Sequence, residues 1–197
     1  MPVAETGPQQ LVLASGSARR RDLLRQIGIE PSAIDPPHID EHHDPRELPL
    51  AYAGRMAREK LAAVAAQHRG SWILAADTVV ACGRRILPKA ETENEARACL
   101  GMLSGRRHRV IGGIAIAGPD GRIAERVVTT VVAFKRLTHS EIEAYIATGD
   151  WHGKAGGYAI QGHAAAFIPW ISGSYGNVVG LSLSDTVAML GGLGWRF

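Results

Sequence analysis

Residues 11–24 read LVLASGSARRRDLL. Leu11 to Ser15 is a short apolar run, which suits a buried strand. Ser17 stands where a helix N-cap would, and Leu23, Leu24 and Ile27 place one apolar face on a helix from Ala18 to about Ile27. Gly28 is its natural stop. The charges are the anomaly. Arg19, Arg20 and Arg21 fall in the first helical turn, where the partial positive charge of a helix N-terminus favours Asp or Glu. An anion seated on the turn resolves the conflict. Backbone N–H groups at a helix start cradle phosphate, Gly16 permits close approach, Ser15 and Ser17 add hydroxyls, and an arginine grips two oxygens at once. At least one of the three arginines is expected to be solvated. The cradle is not a Walker A loop, since G-x-x-x-x-G-K-[ST] is absent.

Residues 30–49 are rich in proline and acid and read as loop with one short strand. A long amphipathic helix is expected from about Leu50 to Gln67. SWILAADTVVACG (71–83) is β-rich, and a helix follows near Glu93 to Leu103. HRVIGGIAIAG and RIAERVVTTVVAFKRL read as two long strands joined by a turn at Pro119-Asp120-Gly121. Thr138 and Glu141 have capping-box spacing for a short helix stopped by Gly149. Glycine-rich loops and a helix near Ser184 to Leu190 end the chain. Strands alternating with helices, then a long hairpin, give an α/β fold with a mixed twisted sheet and flanking helices. Residues 1–10 read as a flexible tail and 11–197 as one domain.

The net charge of +3 permits an anionic substrate. Long nucleic acid is not indicated: basic residues are dispersed, and an aromatic content of 6% offers no stacking platform. Cys82 and Cys99 make no zinc-binding pattern and suit reduced thiols in a cytosol. MPVAETGPQQ has no secretory-signal character, and no run of about 18 apolar residues would cross a membrane.

Asp77 lies among apolar neighbours in WILAADTVV. A buried carboxylate is costly unless paired or metal-bound, so it is a candidate to hold Mg²⁺ or accept a proton from water. Thr78 beside it could orient a ligand. HIDEHHD (38–44) bunches histidines and carboxylates without helical spacing. It favours a solvated loop over a transition-metal site, with Glu41 available to a hard cation. Lys60, read on the polar face of its helix, and Lys89, after the Asp77 segment, are candidate phosphate partners. GKAGGYAIQGHAAAF (153–167) packs glycines around Lys154, Tyr158 and Gln161. The Gln161 amide can donate and accept, which suits reading a base edge. GSYGNVVGL (173–181) reads as a similar loop.

Together LASGSARRRDLL, AREK, AADTVV, KAGGYAIQG and GSYGNVVGL, in this order, resemble the Maf family of nucleotide pyrophosphatases from about Leu11 to Leu190. The resemblance implies two lobes around a cleft, in the fold of inosine triphosphate pyrophosphatases. It implies cleavage of a nucleoside triphosphate to the monophosphate and pyrophosphate, a divalent cation (Mg²⁺ or Mn²⁺), a cytoplasmic location and a homodimer. It assigns proton acceptance to Asp77, with Asp77 and Glu41 toward the metal. Arg19, Thr78 and Gln161 take the positions linked to substrate choice. Ser15, Ser17, Lys60 and Lys89 lie toward the phosphates. The Arg, Thr and Gln set resembles the branch acting on dTTP and UTP. Two positions depart from the family pattern: Ala18 replaces a proline, and the family's Lys-Pro is here Pro88-Lys89-Ala90. The rival reading is a non-catalytic nucleotide-binding regulator of cell division.

Overall fold

The computed structural model describes residues 9–197; all but the last two residues of the expected tail lie outside the described residues. Strand β1 (Leu11–Ala14) leads into helix α1 (Ala18–Gln26) and the two-residue β2 (Ala33–Ile34). Helix α2 (Pro49–Ala65) then feeds β3 (Trp72–Cys82), followed by the short β4 (Arg85–Leu87) and β5 (Lys89–Ala90). Helix α3 (Glu93–Leu103) precedes the long hairpin of β6 (Arg107–Ala117) and β7 (Ile123–Ala133). The chain continues through α4 (His139–Thr148), β8 (Lys154–Ala155), a 3₁₀ turn at His163–Phe167, β9 (Trp170–Ser172), α5 (Tyr175–Val179) and α6 (Leu183–Leu193).

The main sheet runs β2-β1-β3-β6-β7-β9, with β4 beside the far end of β3. β1 is parallel to β2 and β3, and the other pairs are antiparallel, so the sheet is mixed. Strand alternation sorts side chains between its two faces. Val12, Ala14, Ile73 and Ala75 meet Ala57, Leu61 and Val64 of α2 on one face. Leu11, Leu13, Trp72 and Leu74 meet α1 and α6 on the other, through Leu23, Leu24 and Leu190. A separate core gathers the far ends of β6 and β7 with α3 and α4, around Leu100, Leu103, Phe134 and Tyr145. These are two lobes built on shared strands, and a cleft opens between them.

The sheet itself leaves room for that cleft. β1 pairs with β3 only from Trp72 to Ala75, and β4 only from Val80 to Cys82. Residues 76–79 have no strand beside them on that edge among the described residues. Ligands in open α/β sheets gather where strands end in this way, beyond the carboxyl end of a parallel strand. On the opposite edge Asp77 pairs with Gly113 and Thr78 with Gly112. A Cβ on Gly113 would lie 2.0 Å from the Ala53 carbonyl oxygen, and one on Gly112 would lie 2.1 Å from Asn177 Oδ1. The two glycines let α2 settle on one face and Asn177 bury on the other. Asn177 donates from Nδ2 to the Val110 carbonyl at 3.0 Å and to Thr130 Oγ1 at 3.1 Å, which pins α5 to the hairpin.

Candidate active site

The turn after β1 is organised by Ser15. Its hydroxyl accepts from the Ser17 N–H at 3.3 Å and from Arg20 Nη1 at 2.7 Å. Ser17 is the N-cap residue, but its side chain makes no capping hydrogen bond, and no acid stands in the first turn of α1. The helix start therefore carries no side-chain cap and no first-turn acid of its own. The three arginines separate. Arg20 turns inward and is buried; it also donates to the Gly180 carbonyl at 2.9 Å and to Thr78 Oγ1 at 3.1 Å. Its burial lowers its proton affinity more than nearby Asp77 raises it. Arg19 lies along the cleft, anchored by Nε to the Val179 carbonyl at 3.2 Å, and burial lowers its pKa. Arg21 is partly solvated, with 36% of its side chain exposed.

Asp77 is buried in mid-strand, in phase with Ile73, Ala75, Val79 and Ala81, so it faces α2. Lys60 meets it there: Nζ lies 2.7 Å from Asp77 Oδ1 and 2.7 Å from Glu41 Oε1. Lys89 Nζ lies 2.6 Å from Glu41 Oε2. The result is a chain of alternating charge, Asp77–Lys60–Glu41–Lys89. Burial alone would raise the Glu41 pKa, but hydrogen bonds from Lys60 and Lys89 outweigh it and hold the carboxyl down at about 2. Tyr52 fixes the loop by donating its hydroxyl to the Glu41 carbonyl at 2.6 Å. Burial, with Asp77 and Glu41 nearby, pushes that phenol up to about 12, so it stays a donor.

The expectation that Lys60 lies on the polar face of its helix is wrong. It falls in phase with Tyr52, Ala53, Met56, Ala57 and Val64, all buried, and is itself 6% exposed. A lysine in register with the apolar face was a signal for a buried partner, and Asp77 is that partner. GSYGNVVGL is not all loop, since Tyr175–Val179 forms α5 capped by Ser174 through the Asn177 N–H at 3.1 Å. The departure at Pro88-Lys89-Ala90 does not carry Lys89 away from the acids.

All of the proposed site residues line one cavity of about 410 Å³. Ser15, Ser17 and Arg19 form one wall, Asp77 and Thr78 the floor, and Glu41, Lys60 and Lys89 a second wall. Gln161 reaches it from the glycine-rich segment, exposed at the rim. Tyr158 and Lys154 of the same segment also line it. Tyr158 is buried and holds His108 Nε2 at 2.8 Å. Sequence reasoning noted Lys154 among the glycines and Arg20 within the arginine run but gave neither a role. A run of three arginines does not say which one turns inward, and glycine density marks the segment around Lys154 without saying what the lysine faces.

No cluster of three or more histidine, cysteine or acidic side chains that could hold a metal occurs among the described residues. Asp77 and Glu41 are different. Two carboxylates that share one ammonium converge on one point. Hard ions such as Mg²⁺ or Mn²⁺ use one or two carboxylates and take their other oxygens from water and phosphate. The donor set fits such an ion.

A model of the family described as Maf-like protein matches residues 10–193. The chain belongs to the Maf family. Maf relatives include a protein of Paramagnetospirillum magneticum named dTTP/UTP pyrophosphatase, 62% identical over 94% of this chain and 97% of its own. A Rhodospirillum rubrum protein of the same name is 60% identical over 97% of this chain and 90% of its own. One from Caulobacter vibrioides is 55% identical over 94% and 96%. Among solved structures, the Staphylococcus aureus Ham1 protein overlays 64% of this Maf chain and 72% of its own at 16% identity, with a TM-score of 0.47. No helix among the described residues is long and apolar enough to cross a membrane.

Proposed function

We propose that this Maf protein hydrolyses dTTP and UTP to the nucleoside monophosphate and pyrophosphate. The observation that carries the reading is the buried Asp77–Lys60 contact at the floor of a cleft that Arg19, Arg20, Lys89 and Lys154 also line. The names of relatives 55–62% identical along nearly the whole chain support the substrate.

The chemistry follows from the charges. Water attacks the α-phosphorus, a new P–O bond forms, and the bond to the bridging oxygen of the β-phosphate breaks. Lys60 takes Asp77 Oδ1 and leaves the other carboxylate oxygen to accept the water's proton. The nucleotide's phosphates lie on the bare helix start of α1 beside Arg19, where N–H groups and the guanidinium stabilise charge on the departing pyrophosphate. A divalent ion held by Asp77 and Glu41 would neutralise phosphate oxygens as a Lewis acid. Thr78 acts through the scaffold: its hydroxyl is engaged by Arg20 and reaches the Gly180 carbonyl at 3.4 Å. Gln161 at the rim presents its amide to the base. The reading treats residues 11–197 as one domain, supported by lobes that share β3, β6 and β7. It includes a cytoplasmic homodimer, which sedimentation and cell fractionation would test.

The experiment is steady-state release of pyrophosphate against orthophosphate, with Mg²⁺ or Mn²⁺, from dTTP, UTP, CTP, ATP, GTP, 7-methyl-GTP and ITP. Pyrophosphate from dTTP and UTP, abolished by chelator, is the expected result. Tight dTTP binding with no pyrophosphate released would replace the reading with a nucleotide-binding regulator.

A further inference from the structure

Five cations line the cleft, namely Arg19, Arg20, Lys60, Lys89 and Lys154, against two carboxylates, Glu41 and Asp77. The hydrogen bonds show which cations are already engaged. Arg20 is held by Ser15, Thr78 and Gly180. Lys60 and Lys89 are ion-paired with Glu41 and Asp77. Arg19 uses only Nε, toward the Val179 carbonyl, so both of its terminal nitrogens lack a hydrogen-bond partner among the described residues. Lys154 donates to the His152 carbonyl at 2.8 Å and makes no salt bridge among the described residues. The two acids whose charge acts on it are engaged elsewhere: Asp150 accepts from the His163 N–H at 3.0 Å and lies 2.8 Å from His163 Nδ1, and Glu91 lies 3.8 Å from His152 Nδ1.

Arg19 and Lys154 therefore line one cavity, one on α1 and one on β8, with no carboxylate paired to either among the described residues. Burial lowers the Lys154 pKa, and the positive charge of Arg19 lowers it further. Two unpaired like charges brought together in a partly desolvated cleft repel, and an anion between them reverses the sign of that interaction. We propose that Lys154 is a phosphate-binding residue that, with Arg19, grips the triphosphate chain from the second lobe. The proposal rests on the pyrophosphatase reading for the identity of the anion. The rest of the backbone supports the placement: β8 is held to β5 through Ala90–Lys154 and Lys89–Ala155 pairing, so the lysine is carried on a fixed ribbon.

The test uses the full chain and inorganic tripolyphosphate, titrated calorimetrically without divalent ion, alongside dTTP turnover. Lys154→Gln keeps the stem and removes the charge. It should weaken tripolyphosphate about tenfold and raise KM for dTTP by a similar factor, while kcat changes less. Lys154→Arg should recover most of the affinity. Arg84→Gln, which removes the same charge from an exposed turn outside the cavity, should leave it unchanged. Thermal unfolding of each variant separates lost binding from lost folding. Unchanged tripolyphosphate affinity in Lys154→Gln, or an equal loss in Arg84→Gln, overturns the proposal. Turnover of dTTP with no such affinity loss would keep the pyrophosphatase reading and remove Lys154 from it. A Lys154-dependent tripolyphosphate site in a chain that hydrolyses no nucleotide would uphold the anion site and end that reading.

Discussion

Asp77 and Thr78 are adjacent on β3 and live in opposite worlds. On the α2 face, Asp77 belongs to a chain of full charges in which each acid is held by a lysine. On the α1–α5 face, Thr78 belongs to a network of neutral acceptors around one buried arginine. The same division runs across the hairpin, where Gly113 lies under the α2 backbone and Gly112 under the Asn177 side chain. One face holds the groups proposed to handle the water's proton. The other holds the geometry of the turn, the strand and α5 together. Alternation along a strand is enough to keep the two apart.

The comparison can be broken most severely on the charged face. Asp77→Asn keeps the shape and removes the base, so pyrophosphate release should fall about a thousandfold while nucleotide still binds. A rate near wild type would remove Asp77 from proton transfer. Next come the glycines. Gly113→Ala drives a Cβ into helix backbone, which cannot swing away, and should cost about 3 kcal/mol in urea unfolding as well as activity, because α2 carries Lys60. Gly112→Ala meets Asn177 Oδ1, on a buried side chain tied to Val110 and Thr130 rather than on backbone, and should cost about 2 kcal/mol. Equal losses would show that the two faces do not differ in rigidity.

Arg20→Met tests the neutral face. It leaves Ser15, Thr78 and the Gly180 carbonyl without their donor and should destabilise by about 2 kcal/mol. Arg20→Lys should not restore it, since an ammonium lacks the planar fork that spans three acceptors. The smallest effect concerns Glu41, whose pKa is held at about 2 against an ordinary 4.5. A depressed carboxyl adds stability above its unfolded pKa and loses it as pH falls toward the folded one. Unfolding followed from pH 5 down to pH 2 should therefore show a declining contribution that Glu41→Gln lacks. A Gln variant with the full acid slope would place that slope on other carboxylates.

Much of the fold was legible. β1 was expected at Leu11–Ser15 and runs Leu11–Ala14, α3 has the expected span, and α2 is displaced by one or two residues at its ends. These elements announce themselves through periodicity and caps, including the reciprocal Thr138–Glu141 box. The two-residue strands β5 and β8 were not read, because so short a strand exists only by virtue of its partner. Lys60 was misplaced for a related reason. Its charge suggested solvent, while its phase with Met56 and Val64 pointed inward.

The sequence by itself determined the strand–turn–helix unit, the apolar faces, the hairpin and the residue types that suit an anionic substrate. Those are consequences of local periodicity, turn chemistry and charge. Only the tertiary structure decided which arginine enters the core and which faces the cleft. It alone joined Glu41, Lys60, Asp77 and Lys89 into one alternating chain, and left Lys154 without an acid among the described residues. Ion pairs form between groups brought close in space, from elements far apart along the chain. Their energies depend on burial and distance, which no local pattern encodes.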